Sequence, residues 1–133
     1  MIIDSSAIIA TLMGGPLALP IARAIGSAES CRISAPTLVE TSIVLVNKEG
    51  ERGPALLASF LQRRQFDVLT FGEAHWRTAQ SAFLRYGKSR HRAALTFGDC
   101  LTYAAATIVG EPLLCIGDDF PHTDLELVKL GEN

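Results

Sequence analysis

The chain opens on a short apolar run, Met1-Ile2-Ile3, that stops at an acid, Asp4. A run this short, β-branched and apolar on both faces predicts a buried strand of a parallel sheet. Ser5 and Ser6 follow, and a second apolar run from Ala7 through Leu12 predicts a helix with Ser5 or Ser6 as its N-cap. Gly14-Gly15-Pro16 breaks that helix, and residues 17–28 predict another. Residues 31–34 read as a strand. Pro36 then opens a helix that Gly50 stops, with apolar surface from Leu38, Ile43, Val44 and Val46. Gly53-Pro54 begins a helix carrying Leu56, Leu57, Phe60 and Leu61 at helical spacing. Residues 67–71 predict a strand, and residues 73–86 a helix with Ala74, Ala79, Phe83 and Tyr86 on its inner face. After a basic loop at 87–94, Phe97-Gly98-Asp99 leads into a small-residue helix that Gly110 ends. Residues 112–116 predict a strand, and 125–130 a last edge strand. Strands alternating with helices imply an α/β sandwich centred on a mostly parallel sheet.

Composition narrows the class. With 133 residues, the chain has enough length for one domain with a sizeable core. Its 48% hydrophobic content and formal charge of −2 exclude a disordered chain and a globally basic nucleic-acid binder. No apolar run is long enough to span a bilayer. The start lacks a basic n-region and carries Asp4 within its apolar stretch, so no export segment is expected and a cytoplasmic location is. Cys31, Cys100 and Cys115 are odd in number and widely spaced, which argues against a disulfide framework. They form no zinc pattern with His75, His91 or His122, and buried thiols in a reducing compartment are expected.

The acids change the picture. Asp4 lies at the carboxyl end of the first strand, where open α/β sheets bind ligands. Glu40 interrupts an apolar turn, Leu38-Val39-Glu40-Thr41-Ser42-Ile43. Asp99 stands at the start of the Ala-rich helix, and Asp118 and Asp119 follow the strand at 112–116. Taken singly, each has an ordinary explanation: a helix cap, a solvent-facing Glu, a helix-dipole partner, turn chemistry. Taken together, they place several carboxylates beside buried elements, and buried carboxylates cost much unless paired or metal-bound. No Lys or Arg neighbours Asp4, Glu40 or Asp99 in sequence. A hard divalent cation, Mg²⁺ or Mn²⁺, is the economical partner.

At these residues the sequence resembles a known family. IIDSSAIIA resembles the first motif of PIN-domain ribonucleases, and of VapC-type toxins in particular. PTLVETSIVL resembles their second motif, with Glu40 as its acid. YGKSRHRAALTFGDCLTYAAA resembles the segment leading into the third acid, Asp99, and GEPLLCIGDDFPHTDL the strand and acidic turn that end the fold. The resemblance spans almost the whole chain. It departs at Gly117, where many members carry an acid, so Asp118 is the expected fourth acid and Asp119 the fallback. It implies a single PIN domain over residues 1–133, folded as a three-layer α/β/α sandwich. It implies a metal-dependent endoribonuclease, the toxin of a VapBC system, leaving 5′-phosphate and 3′-hydroxyl ends.

In that reading Asp4 and Asp99 contact the metal, and Glu40 holds water on it or orients the nucleophile. Asp118 completes the anionic pocket, and Ser6 fixes a carboxylate or the scissile phosphate. Arg85, Lys88, Arg90 and Arg92 cluster just before Asp99 and would contact RNA phosphates without reading sequence. The substrate expected is tRNA or another structured RNA. A homodimer and a VapB-type antitoxin are implied as partners, with the helices around 16–25 and 36–46 offering apolar surface. Two rival readings remain. A haloacid-dehalogenase-like or receiver-type aspartyl-phosphate domain also places Asp after its first strand. The phosphatases, however, want a second Asp where Ser6 stands. A catalytically silent binding module is the other rival, against which the retained acids argue.

Overall fold

The computed structural model describes residues 1–131, so the last two residues of the expected 1–133 domain lie outside the described ones. Four strands form one sheet: β1 (Ile2–Ile3), β2 (Arg32–Ser34), β3 (Asp67–Leu69) and β4 (Leu113–Leu114). Their order is β3-β2-β1-β4, and every pairing is parallel. Six α-helices connect them: α1 (Ser5–Met13), α2 (Ala18–Ser27), α3 (Ala35–Glu49), α4 (Gly53–Leu61), α5 (Glu73–Tyr86) and α6 (Phe97–Val109).

Alternation along each strand sorts the core into two layers. Ile2 and Leu113 face α5 and α6, against Ala79, Ala82, Tyr86 and the Ala104–Ala106 run. Ile3, Leu114 and Ile33 face the other way, against Ala7, Ile8, Ile21, Leu45 and Phe60 of α1 to α4. The sheet is therefore covered on both sides, as its continuous apolar strands require. Truncating the fully buried Phe60 to Ala would cost about 3–5 kcal/mol.

The topology also selects a place for chemistry. The connections out of β1 and β2 step to one side, to β2 and β3. The connection out of β3 returns across the sheet to β4, on the other side of β1. The direction reverses between β1 and β4, and ligands of open α/β sheets sit outside the carboxyl ends of the strands at such a switch point.

Two expectations need correction. The edge strand at 125–130 reduces to a single bridge, Leu113 with Leu127, held by hydrogen bonds between Leu113 N and Glu126 O and between Val128 N and Leu113 O. Phe83 and Ala74 are exposed, because α5 packs on α6 through Ala79, Ala82 and Tyr86 instead. On α3 the apolar residues Ile43 and Val46, with Val39, lie on the outer surface, in line with the apolar surface expected of that helix, while Thr37, Thr41 and Leu45 face in. Among the described residues no single helix is long and apolar enough to cross a membrane. The pair α1 and α2 passes on length and composition together but is bent by 118°.

Candidate functional site

β1 ends at Asp4, whose backbone N–H donates to the Leu114 carbonyl at 3.0 Å, so the residue is tied to both strands of the switch point. Its φ of −82° and ψ of 157° are those of an N-cap, and its Oδ2 accepts from Ser6 N at 3.0 Å. Asp4 itself thus caps α1, where Ser5 or Ser6 was expected. Its other oxygen, Oδ1, accepts from the Thr102 hydroxyl at 2.7 Å. The residue is only 4% exposed.

Glu40 comes from the second turn of α3 and is half-buried. Its Oε1 accepts from Ser5 Oγ at 2.8 Å, and its Oε2 lies over Gly98, close enough that a Cβ there would sit 1.7 Å away. Burial raises the Glu40 pKa; the Ser5 hydrogen bond opposes this, and the charges of Asp4 and Asp99 add to the rise. The Asp99 carboxylate occupies the third position of α6 and accepts from Thr96 N at 3.0 Å in a capping box. Its pKa is also raised, first by burial, against the Thr96 bond, and then by a hydrogen bond shared with Asp119 and the charge of that residue.

The acidic turn after β4 does not follow strand alternation, because β4 ends at Leu114, well short of Asp118. Gly117 turns the chain at φ +110°, a conformation that L side chains rarely adopt. Beyond it Asp118 is exposed, and Asp119 is the acid brought against Asp99. The acid that the turn sets beside Asp99 is therefore Asp119, the fallback residue, and not Asp118. Asp119 precedes a short 3₁₀ turn, Phe120–His122, but its side chain makes no capping hydrogen bond.

Ser6, expected on a carboxylate or phosphate, accepts from Ile116 N at 3.0 Å and so ties the acidic turn to α1. The hydroxyls that reach the acids are those of Ser5 and Thr102, which sequence reasoning passed over. Thr102 is legible as a hydroxyl one helical turn beyond Asp99, on the same face of an Ala-rich helix. Cys115 registers the field: its thiol is pushed up to about 12, mainly by burial and then by the charges of Asp4 and Asp99.

None of Asp4, Glu40, Asp99 or Asp119 has an ion-pair partner among the described residues. Their donor set is all oxygen and uncompensated, which fits a hard divalent cation. Among the described residues no three His, Cys, Asp or Glu side chains form a preformed ligand cage. Mg²⁺ asks less than that, since it keeps several waters and takes one or two carboxylates.

The basic cluster is only partly free. Arg85 pairs with Asp124 at 3.4 Å and lies over the Tyr86 ring at 4.7 Å. Arg90 Nε donates to the Leu84 carbonyl at 3.2 Å. The side chains of Lys88 and Arg92 are exposed. The loop leads directly into the capping box of α6, but no hydrogen bond among the described residues joins its side chains to the acids.

Beside the acids runs an apolar groove of about 690 Å³, lined by Val39, Ile43, Val44, Phe71, Phe97 and Leu101, with Glu40 at its rim. Phe97, two residues before Asp99, is 80% exposed.

The chain and its fold are similar to those of known proteins. A family profile described as PIN domain matches residues 1–125. The chain is 46% identical over 127 residues to Ribonuclease VapC36 of Mycobacterium tuberculosis, covering 95% of this chain and 91% of that one. The fold is similar to the crystal structure of Mycobacterium tuberculosis VapC20, a Sarcin-Ricin loop cleaving toxin, with a TM-score of 0.77, 18% identity and coverage of 96% and 98%. It is also similar to VapBC2 from Rickettsia felis bound to a DNA fragment from their promoter, with a TM-score of 0.74, 13% identity and coverage of 98% of each chain. These matches set aside the aspartyl-phosphate reading: the chain belongs to the PIN domain family and, within it, to the VapC ribonucleases.

Proposed function

We propose that this chain is a Mg²⁺- or Mn²⁺-dependent endoribonuclease acting in the cytoplasm as the toxin of a VapBC pair. One observation carries the reading: acids from four separate segments gather at the switch point with no cation paired to them. Asp4 and Asp99 would hold the ion. When bound, such an ion supplies a Lewis acid for the phosphate and an activated water. Glu40 Oε2, not engaged by Ser5, accepts the proton of the attacking water, and its raised pKa brings it closer to the working range of a general base. Asp119, the acid set beside Asp99, would complete the anionic corner in place of Asp118. Ser6 holds the turn that carries Asp119. Lys88 and Arg92, with Arg85 and Arg90 where their present contacts yield, meet the phosphates of a structured RNA.

The apolar groove around Phe97 suits a second copy of the chain, which would bring two acid clusters side by side. The outward apolar residues Leu17 and Leu19 near α2 offer separate surface to a VapB-type antitoxin. The test is cleavage-site mapping on total RNA with purified protein and Mn²⁺, alongside calorimetric titration of the ion. Cuts ending in 5′-phosphate and 3′-hydroxyl, lost together with Mn²⁺ binding in Asp4→Asn and Asp99→Asn, are expected. Unchanged affinity in both variants would overturn the assignment.

A further inference from the structure

Three hydroxyl side chains form a buried line that ends on Asp4. Thr102 Oγ1 donates to Asp4 Oδ1 at 2.7 Å, Thr37 Oγ1 lies 3.4 Å from Thr102 Oγ1, and Ser34 Oγ lies 2.8 Å from Thr37 Oγ1. Each of the three is no more than 2% exposed, so bulk water does not compete for their protons. A hydroxyl has one proton to give. Thr102 donates to Asp4 Oδ1, so its proton is spent there. Thr37 must then donate to Thr102, and Ser34 to Thr37. Ser34 Oγ in turn accepts from Thr37 N at 3.2 Å, which is the N-cap bond of α3. The line therefore has one direction, from the cap of α3 to the carboxylate at the end of β1.

The positions of these residues matter as much as their bonds. Thr37 lies one helical turn before Glu40 on α3, and Thr102 one turn after Asp99 on α6. The line joins three of the segments that carry the acids, the end of β1, α3 and α6. No buried side-chain nitrogen or oxygen among the described residues lacks a partner, so the hydroxyls gain nothing by rotating away.

We infer that Thr102, Thr37 and Ser34 are positioning residues that orient the Asp4 carboxylate for cation binding and hold α3 and α6 in register around it. This rests on the metal reading above. Thr102 acts directly on Asp4, and Thr37 acts only through Thr102, across the longest link of the line.

Calorimetric Mn²⁺ titration and thermal melts of metal-free variants test it. Thr102→Val keeps the shape but removes the donor, and should weaken Mn²⁺ binding about 10- to 100-fold, as loss of a ligand's outer partner does. Thr102→Ser restores the donor and should bind within about 3-fold of the unsubstituted chain. Thr37→Val should cost about 3-fold alone and nothing further in the Thr102→Val background, because its effect passes through that residue. Unchanged Mn²⁺ affinity in Thr102→Val, with or without a lower melt, overturns the inference. So does a Thr37→Val loss that persists in the Thr102→Val background. Should Thr102→Val not fold, Thr37→Val alone decides, and unchanged affinity there overturns it. Absence of Mn²⁺ binding in the unsubstituted chain overturns the metal reading itself, which is a different result.

Discussion

Gly98→Ala adds one methyl group to the protein, and its consequence follows from the position of Glu40. The new Cβ would lie 1.7 Å from Oε2, 2.6 Å from Cδ and 3.0 Å from Oε1 of Glu40. Ordinary carbon contacts begin at about 3.5 Å, so the carboxylate must retreat by about 1.5–2 Å. The obstructing atoms are the end of a flexible side chain, so the backbone has no need to move. The retreat strains or breaks the 2.8 Å bond from Ser5, which costs about 1.5–3 kcal/mol at most for a charged acceptor and less at a half-buried site. Against that, Ala in place of Gly favours α6 by up to about 1 kcal/mol. Net stability should change by no more than about 1–2 kcal/mol. Catalysis should suffer far more, because a displacement of about 1 Å in a reacting group can lower a rate about 100-fold. Single-turnover RNA cleavage at saturating Mn²⁺, with a thermal melt of the same preparation, measures both quantities. A rate within about 3-fold of the unsubstituted chain would show that Glu40 does not work from the place assigned to it. A collapse of the melt would show instead that the carboxylate has nowhere to go.

Asp119→Asn should lower the cleavage rate strongly with little change in melting, and Asp118→Asn should stay active; the reverse pattern in paired rate measurements would restore Asp118 as the fourth acid. Glu40 and Asp99 both titrate above their ordinary values of 4.5 and 3.8, so the folded metal-free chain holds protons that the unfolded chain has released. These groups stabilise the fold fully below the ordinary values, and that stability is lost as pH rises through the raised ones. Melts of metal-free protein should therefore fall across that window and recover on adding Mn²⁺ at neutral pH; a metal-free melt that rises there would contradict the shifts. Replacing Lys88 and Arg92 by Ala should weaken RNA binding alike for all sequences and make the salt dependence shallower by about one unit per lost contact. Phe97→Glu should give monomers in light scattering while leaving the monomer's melt intact, since Phe97 is 80% exposed and packs little within its own chain. Retained dimers would move the interface elsewhere.

The parts of the site that sequence revealed are those governed by local rules. Strand ends and helix starts can be read from periodicity, so Asp4 at the end of β1 and Asp99 at the start of α6 are legible in the sequence. Glu40 stood out because it interrupts an apolar face. Where the structure departs from the sequence reading, dihedrals or tertiary contacts decide. Asp118 is the acid nearest the place that Gly117 leaves empty in the family pattern, but Gly117 turns the chain at φ +110° and sets Asp119 beside Asp99 instead. Ser6 was preferred to Ser5, although adjacent residues at a helix start point about 100° apart and only the position of α3 decides which meets Glu40. The expected strand at 125–130 has the right alternation, yet only Leu113 lies alongside it to pair. The line from Ser34 to Asp4 spans 98 residues between Thr102 and Asp4, beyond the reach of any local pattern.

The reversal of strand order has a consequence in time. β1 is made first but occupies an inner place in the sheet, with one flank empty until β4 arrives. The acid that meets Asp99 lies beyond β4. A ribosome-bound chain that ends before Leu113 therefore has an open sheet edge beside Asp4 and lacks part of its acidic cluster. Contacts this distant in sequence also form late in folding. In a sheet of this order the acidic cluster is completed only once β4 and the turn beyond it have joined the segments made before them.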